Sequence, residues 1–220
     1  MRTIILAAGQ GYKLGNFNKL LLNNPKTKLT ILETYLEIFS GTDVCIVVGY
    51  KAVNIINRYP HIKYIYNPDW HITKDSYSLG LALNDEPCYV IHSDMFISLD
   101  VRDNLDSSMD NCAITINHDG RTSSALNCVI DENRIERIYQ GELFNQSDPE
   151  LLGIFKVTDK EALQYWKKSC LEHKNLLIGQ NYPLNKKIPL YQVNGNKMSI
   201  TIIKNIYDYT KFLNDQQIIT

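Results

Sequence analysis

Apolar residues recur along this chain in two rhythms, and the alternation between them predicts a layered α/β fold. Residues 3–8 form a short, almost unbroken apolar run that reads as a first strand. Between residues 29 and 39 the apolar positions Leu29, Leu32, Leu36 and Phe39 recur at helical spacing, and Thr30 with Glu33 three residues on makes a capping-box arrangement at the start. Residues 43–48 are rich in β-branched side chains and apolar on both faces, as a parallel strand covered by helices should be, and Gly49-Tyr50 ends them. Residues 52–59 suit a helix, 62–66 a third strand, 79–83 part of another helix, and 88–92 an apolar strand. This order predicts a largely parallel sheet.

After Asp94 the rhythm shortens. Strand candidates at 113–117, 127–130, 135–139 and 153–157 are separated by turn residues, with Asp131-Glu132-Asn133 reading as a hairpin turn. Residues 158–170 are amphipathic, with Ala162, Leu163 and Trp166 on one side and Asp159 and Glu161 favouring the N-terminal end. The last strands fall within 186–203 and a closing helix within 207–213.

The candidate chemistry sits at the end of the first strand. Leu6 leads into Ala7-Ala8-Gly9-Gln10-Gly11-Tyr12-Lys13-Leu14-Gly15, and Lys19 follows four residues after the last glycine. Small residues let the main chain wrap closely around a polyphosphate with its N–H groups pointing inward, and two lysines neutralise the charge. Asn16 and Asn18 are candidates to cap a following turn. Two better-known loops are excluded, since Gly15 is followed by Asn16 rather than Lys-Ser/Thr, and Glu33 lies inside a helix rather than at the end of a second strand.

The pattern that remains, Leu-Ala-Ala-Gly-x-Gly-x-Lys-Leu-Gly followed by Lys19-Leu20-Leu21, resembles the nucleotidyltransferase superfamily. These enzymes join a nucleoside triphosphate to a phosphorylated small molecule. The chain looks most like the phosphocholine or phosphonate cytidylyltransferases, and the resemblance extends to sugar-1-phosphate nucleotidyltransferases and the molybdenum-cofactor cytidylyltransferase type. It implies a Rossmann-like α/β/α sandwich with a mostly parallel central sheet and a small antiparallel insertion. One domain over residues 1–220 is expected, with 1–110 as the nucleotide-binding half and 111–220 as the acceptor-binding half.

A second anchor is His92-Ser93-Asp94, just past the carboxyl end of a buried strand, where open α/β sheets place ligands. By resemblance Asp94 is the ligand of a hard divalent cation, Mg2+ or Mn2+, completed by phosphate oxygens; its alternative role is to cap the turn. His92 reads as a packed strand-end histidine, because an acceptor phosphate already ionised at neutral pH needs no base. The resemblance also places the nucleobase between Gly49-Tyr50 and the segment after Asn67-Pro68, where Asp75, Ser76, Ser78 and, from the strand end, Ser93 become contact candidates. Asp75 and Ser76 serve equally as helix caps. Tyr50, Tyr77 and Asp75 suggest a slot narrow enough to favour CTP over a purine. For the acceptor, His118, Arg121, Glu142, Trp166, Tyr191 and Lys204 are the notable side chains, and they form no diagnostic constellation.

The chain departs from its relatives at two points. Lys13 stands where they usually carry arginine, which keeps the charge and loses the bidentate fork. Near the C-terminus, where some relatives place a second metal-binding aspartate, an alignment on Asp208-Tyr209 puts isoleucine in that slot with Lys204 nearby. Lys204 then stands as a fixed cation in place of a second metal, and the departure keeps open a protein that binds nucleotide without turnover. Alternatives are a sugar-1-phosphate nucleotidyltransferase using UTP, GTP or dTTP, and such a binding protein. A glycosyltransferase of similar topology is disfavoured because no Asp-x-Asp follows the fourth strand.

Composition narrows the partners. Twenty-three basic against 24 acidic side chains leave a formal charge of −1, which gives no general attraction to nucleic acid or to an anionic membrane, so a polyanion must bind locally. The five cysteines are widely spaced without a CxxC pair and read as reduced core thiols. The opening apolar stretch reaches glycine too soon for a signal peptide and no run has transmembrane length, so a cytoplasmic soluble protein is expected. A homodimer is compatible with this reading.

Overall fold

The computed structural model describes residues 1–118 and 121–217. Its first half is a run of β-α units: β1 (Arg2–Ala7), α1 (Ile31–Ile38), β2 (Asp43–Val48), α2 (Ala52–Arg58), β3 (Lys63–Tyr66), α3 (Asp75–Ala82) and β4 (Cys88–His92). There follow β5 (Met95–Ile97), α4 (Leu99–Asp106), β6 (Asn111–Ile116), β7 (Leu126–Asp131), β8 (Arg134–Gln140), β9 (Glu150–Val157), α5 (Lys160–Glu172), β10 (Tyr191–Asn194), β11 (Ile200–Ile202) and α6 (Ile206–Gln217). The main sheet has the order β3-β2-β1-β4-β9-β6-β10-β8-β7, and β5 pairs with β11 in a separate two-stranded antiparallel sheet.

Strands β3, β2, β1 and β4 are mutually parallel. β9 then runs antiparallel between β4 and β6, and β7 pairs antiparallel with β8 through the Glu132-Asn133 turn, both of whose residues take positive φ, at 44° and 73°. The antiparallel strands therefore continue the central sheet instead of standing apart from it. Period-two alternation splits the sheet cleanly: Ile5, Ile46 and Ile91 face a core closed by α1, α2, α4 and α6, whereas Ile4, Val47 and Val90 face one closed by α3 and α5. This is the expected three-layer sandwich.

Helix α1 begins where the sequence puts it. Thr30 Oγ1 accepts from the Glu33 amide while the Glu33 carboxylate accepts from the Thr30 amide. The Asp208 segment, on which the alignment for a second metal carboxylate rests, is a capping arrangement too. Asp208 accepts from the amides of Lys204 (2.8 Å) and Asn205 (3.1 Å), and Asn205 Oδ1 accepts from the Asp208 amide. All five cysteines are buried free thiols, and burial pushes Cys88 and Cys170 up to about 12, so neither supplies a thiolate at neutral pH. Among the described residues no helix is long and apolar enough to cross a membrane.

Candidate functional site

The loop after β1 owes its shape to two glycines and two buried leucines. Gly11 and Gly15 both sit at φ 63°, and a Cβ on Gly11 would lie 2.6 Å from the Phe17 carbonyl oxygen. Between them Tyr12–Leu14 makes a single helical turn, and Leu14 is buried, so the turn is pinned to the core while Lys13 stays exposed. Asn18 caps the next turn by accepting from the Leu20 amide at 3.1 Å, and buried Leu20 anchors that turn, leaving Lys19 at its lip. None of the backbone amides from Gly9 to Lys13 donates to a described residue, which leaves a run of N–H groups for an anion.

The parallel register sets Leu6 opposite His92, so the β1 and β4 loops open side by side. There Lys19 Nζ meets Asp94 Oδ2 at 3.4 Å across 75 positions of sequence, with the two side chains 20% and 23% exposed. Burial works to raise the Asp94 pKa, but Lys19 and His92 outweigh it and hold the carboxyl below its ordinary value. His92 in turn has Nε2 2.7 Å from Asp75 Oδ2 and Nδ1 3.8 Å from Asp94 Oδ1. Burial disfavours its protonated form, yet the two carboxylates win and the pKa is raised. Gly153 of β9 leaves room for that ring, since a Cβ there would lie 2.7 Å from it.

These groups enclose a cavity of about 310 Å3. Leu6, Ala7, Ala8, Gly9, Gln10, Gly11, Tyr12, Lys13 and Lys19 of the expected set line it from the first loop. Asp75, Ser78, Ser93 and Asp94 line it from the other elements, with Lys204 reaching in from beyond β11. Three expected contacts are elsewhere. Ser76 is fully buried with its hydroxyl unpartnered, close to Cys170 of α5, because the first turn of α3 rotates it away from the opening. Gly49 lies under Trp70, and Tyr50 packs its ring edge-on to that indole at 5.1 Å.

Trp70, Thr73 and Phe17 line the cavity without being expected there. The Asn67-Pro68 element marks the segment of the first two, but no spacing rule singles out its tryptophan. Asn67 itself is buried and holds the segment in shape. Its Oδ1 accepts from the Asp69 amide at 2.9 Å, which turns its Nδ2 to donate to Ser78 Oγ at 2.9 Å.

A second cavity of about 470 Å3 shares Tyr12, Lys13, Lys19, Asp94 and Lys204 with the first and continues toward Thr122, Ser124 and Glu150. Lys204 Nζ is 3.0 Å from Glu150 Oε1, and His118 Nε2 is 2.7 Å from Glu150 Oε2, so a carboxylate only 6% exposed is ion-paired through one oxygen and has an imidazole as hydrogen-bond partner at the other. The other expected acceptor residues are placed differently. Trp166 is a core residue between Phe155 and Tyr182, at ring distances of 5.2 Å each. Arg121 donates to the carbonyls of His118 and Asp148 and to the side-chain amides of Asn117 and Asn127, and it straps its own loop instead of facing the cavity. Tyr191 is half-buried in β10 against the core, and Glu142 lines a separate surface hollow with Arg121.

No protein-family model and no curated protein sequence matches the chain. Solved structures do. CTP:phosphocholine cytidylyltransferase from Streptococcus pneumoniae superposes with a TM-score of 0.73 at 18% identity, covering 100% of this chain and 99% of that one. The chain has the nucleotidyltransferase fold. The inositol-1-phosphate CTP transferase of T. maritima shares this fold at a TM-score of 0.71 and 16% identity, over 98% of this chain and 96% of the other. A UDP-glucose pyrophosphorylase solved with UDP-glucose gives 0.71 at 13% identity, over 100% and 99%. Within the nucleotidyltransferase fold the loop after β1 and the Asp94 turn of this chain lie together at the carboxyl ends of β1 and β4 and line one cavity.

The donor set bears on a divalent cation. Among the described residues no group of three or more His, Cys, Asp or Glu side chains could hold a metal ion. Asp75 is committed to His92 and to the amides of Ser76 and Ile178, whereas Asp94 Oδ1 has only the 3.8 Å contact to His92. One available carboxylate suits Mg2+ that arrives with most of its shell made of phosphate and water oxygens, and does not suit a cation held by the chain alone.

Proposed function

We propose that this chain is a nucleotidyltransferase that condenses a nucleoside triphosphate, CTP in first place, with a small phosphorylated or phosphonate acceptor and releases pyrophosphate. The observation that carries the reading is the meeting of Lys13, Lys19 and Asp94 around the open amides of one loop, with the second cavity joined to the first over the same residues. Residues 1–110 then hold the nucleotide, and 111–220 the acceptor.

An acceptor oxygen attacks the α-phosphorus; the new P–O bond forms as the bond to the β-phosphate bridging oxygen breaks, and pyrophosphate leaves with the electron pair. Catalysis of this kind is positioning and charge neutralisation. Lys13 and the loop amides hold the β and γ phosphates, and Lys19 faces the α-phosphate as charge builds there. Lys204, kept in place by Glu150, presents a cation to the acceptor phosphate. Asp94 would hold Mg2+, which when bound screens the triphosphate charge. His92 bridges Asp75 and Asp94 and so orients the metal-facing carboxylate.

CTP is favoured because two of the structural neighbours are named for it. A second reading, a sugar-1-phosphate enzyme using UTP, dTTP or GTP, draws on the acceptor cavity. Its walls carry the Thr122 and Ser124 hydroxyls beside Glu150, with Tyr12 and Phe155 as the aromatic members among the described residues, so a hydroxylated acceptor finds partners there. An aromatic cage for a quaternary ammonium needs two or three converging rings. Pyrophosphate release measured with CTP, UTP, GTP and dTTP, each against phosphocholine, an inositol phosphate and glucose 1-phosphate, tests both readings. Tight nucleotide binding with no pyrophosphate from any pair would leave a binding protein instead.

A further inference from the structure

We propose that Trp70 is the wall on which the nucleobase stacks. This rests on the nucleotide reading above and adds the residue that recognises the base. The sheet order puts β2 on one side of β1 and β4 on the other. Gly49 and Trp70 therefore stand on the opposite side of the loop from Lys19 and Asp94, two strand spacings or roughly 10 Å away. One side of the cavity offers Lys13, Lys19 and the Asp94 carboxylate, and the other offers the indole with Thr73 and Ser78, while Lys74 and Asp75 line the wall between Thr73 and Ser78. That polarity matches a ligand with a polyphosphate at one end and a flat heterocycle at the other.

The tryptophan is held for this role. A Cβ on Gly49 would lie 2.6 Å from both Trp70 Cβ and the Ala8 carbonyl oxygen, so only glycine lets the indole close against the root of the phosphate loop. Tyr50 and His71 meet it edge-on at 5.1 and 5.5 Å, and its inner side packs on the core that α3 and α5 close. Gly9, at which a Cβ would meet nothing within 4 Å, lines the same cavity as the indole. At the edge of that space Ser78 Oγ accepts from Asn67 Nδ2, so its own hydroxyl hydrogen is available to a ring nitrogen or carbonyl of the base. A rigid aromatic face with one directed donor is how proteins hold single bases.

The chain has two tryptophans, and Trp166 is fully buried, so Trp70 is the fluorophore that a bound base would reach. The full chain is titrated with CTP and, separately, with inorganic tripolyphosphate, by intrinsic fluorescence and by calorimetry. CTP should quench the emission, and tripolyphosphate should compete with CTP without quenching. Trp70→Phe should bind CTP with no quench, and Trp70→Ala should bind CTP roughly ten- to a hundredfold more weakly while its tripolyphosphate affinity stays at the wild-type value. Wild-type CTP affinity in Trp70→Ala, or calorimetric binding of CTP to the wild type with unchanged emission, overturns the stacking role and leaves the nucleotide reading standing. Failure of both ligands to bind the folded wild type removes the two together.

Discussion

Replacing Asp94 with asparagine separates what this carboxylate does for the fold from what it does for the reaction. At 3.4 Å from Lys19 Nζ, with both side chains about a fifth exposed, the gross attraction is about 5 kcal/mol at an effective dielectric of about 20. Desolvation of the two groups offsets most of this, and the substituted side-chain amide would still offer an oxygen to Lys19, so the net stability cost is about 1–2 kcal/mol. For a chain of 220 residues that lowers Tm by about 2–8 °C, and the protein stays folded at assay temperature. The effect on turnover is larger. Removing one preorganised charge from a site of this kind costs about a hundred- to a thousandfold in kcat. Since Asp94 Oδ1 is the cavity carboxylate oxygen left without a close partner, the variant should also need more Mg2+ to reach half its maximal rate. Pyrophosphate release is followed across a Mg2+ titration for both proteins, with thermal unfolding on the same samples. A folded Asp94→Asn protein with wild-type turnover and an unshifted Mg2+ curve would refute the assignment of Asp94 to the cation.

Lys204→Met should raise the acceptor KM roughly tenfold or more and leave the nucleotide KM unchanged; unchanged acceptor kinetics would end the proposal for Lys204. Because that change leaves Glu150 with His118 alone, adding Glu150→Gln should recover thermal stability without recovering acceptor affinity. Gly11→Ala should cost more stability and more triphosphate affinity than Gly15→Ala. Both add roughly 1–3 kcal/mol of backbone strain at φ 63°, but only the first also drives a Cβ to 2.6 Å from the Phe17 carbonyl oxygen, so equal effects in calorimetry would contradict the loop geometry. The Thr30 amide above all, with the Thr30 and Tyr59 hydroxyls and Arg58, holds the Glu33 pKa below its ordinary value of 4.5. A lowered folded pKa means that the stabilisation is complete above 4.5 and disappears as pH falls through the folded value, so the stability gap between wild type and Glu33→Gln should be constant near neutrality and close in acid.

Much of the fold is legible because its first half obeys local rules without conflict. The strand expected at 43–48 and the one at 88–92 coincide with β2 and β4, since both are buried on two faces and bounded by turn residues. The Thr30–Glu33 cap fixes the start of α1 from four residues alone. Past Asp94 the signal thins. Met95–Ile97 is only three residues long and finds its partner, Ile200–Ile202, more than a hundred positions later, so no window of sequence reveals it. Helix α4 is similarly opaque, because Leu99–Asp106 buries just Val101 and Leu105 and carries no apolar stripe.

The site divides along the same physical line. Backbone-determined features can be read from residue type: glycines at positive φ, small residues beside an anion, an acidic residue at a strand end. Lys19 and Asp94 are therefore visible as members of one cavity although nothing in the sequence measures their 3.4 Å separation. Features set by side-chain direction cannot be read so. Ser76 and Ser78 differ by two positions in one helix, and the 3.6-residue period turns the first toward α5 and the second to the cavity. Trp166 and Trp70 invert the same lesson, for the amphipathic stripe that marks Trp166 as notable is the stripe that buries it, whereas Trp70 reaches the cavity from an irregular segment whose course is fixed by Asn67 and by the missing side chain of Gly49. A residue in a loop is aimed by what it packs against, and here that partner is a glycine about twenty positions upstream, so the indole wall is the part of this cavity that only the folded chain displays.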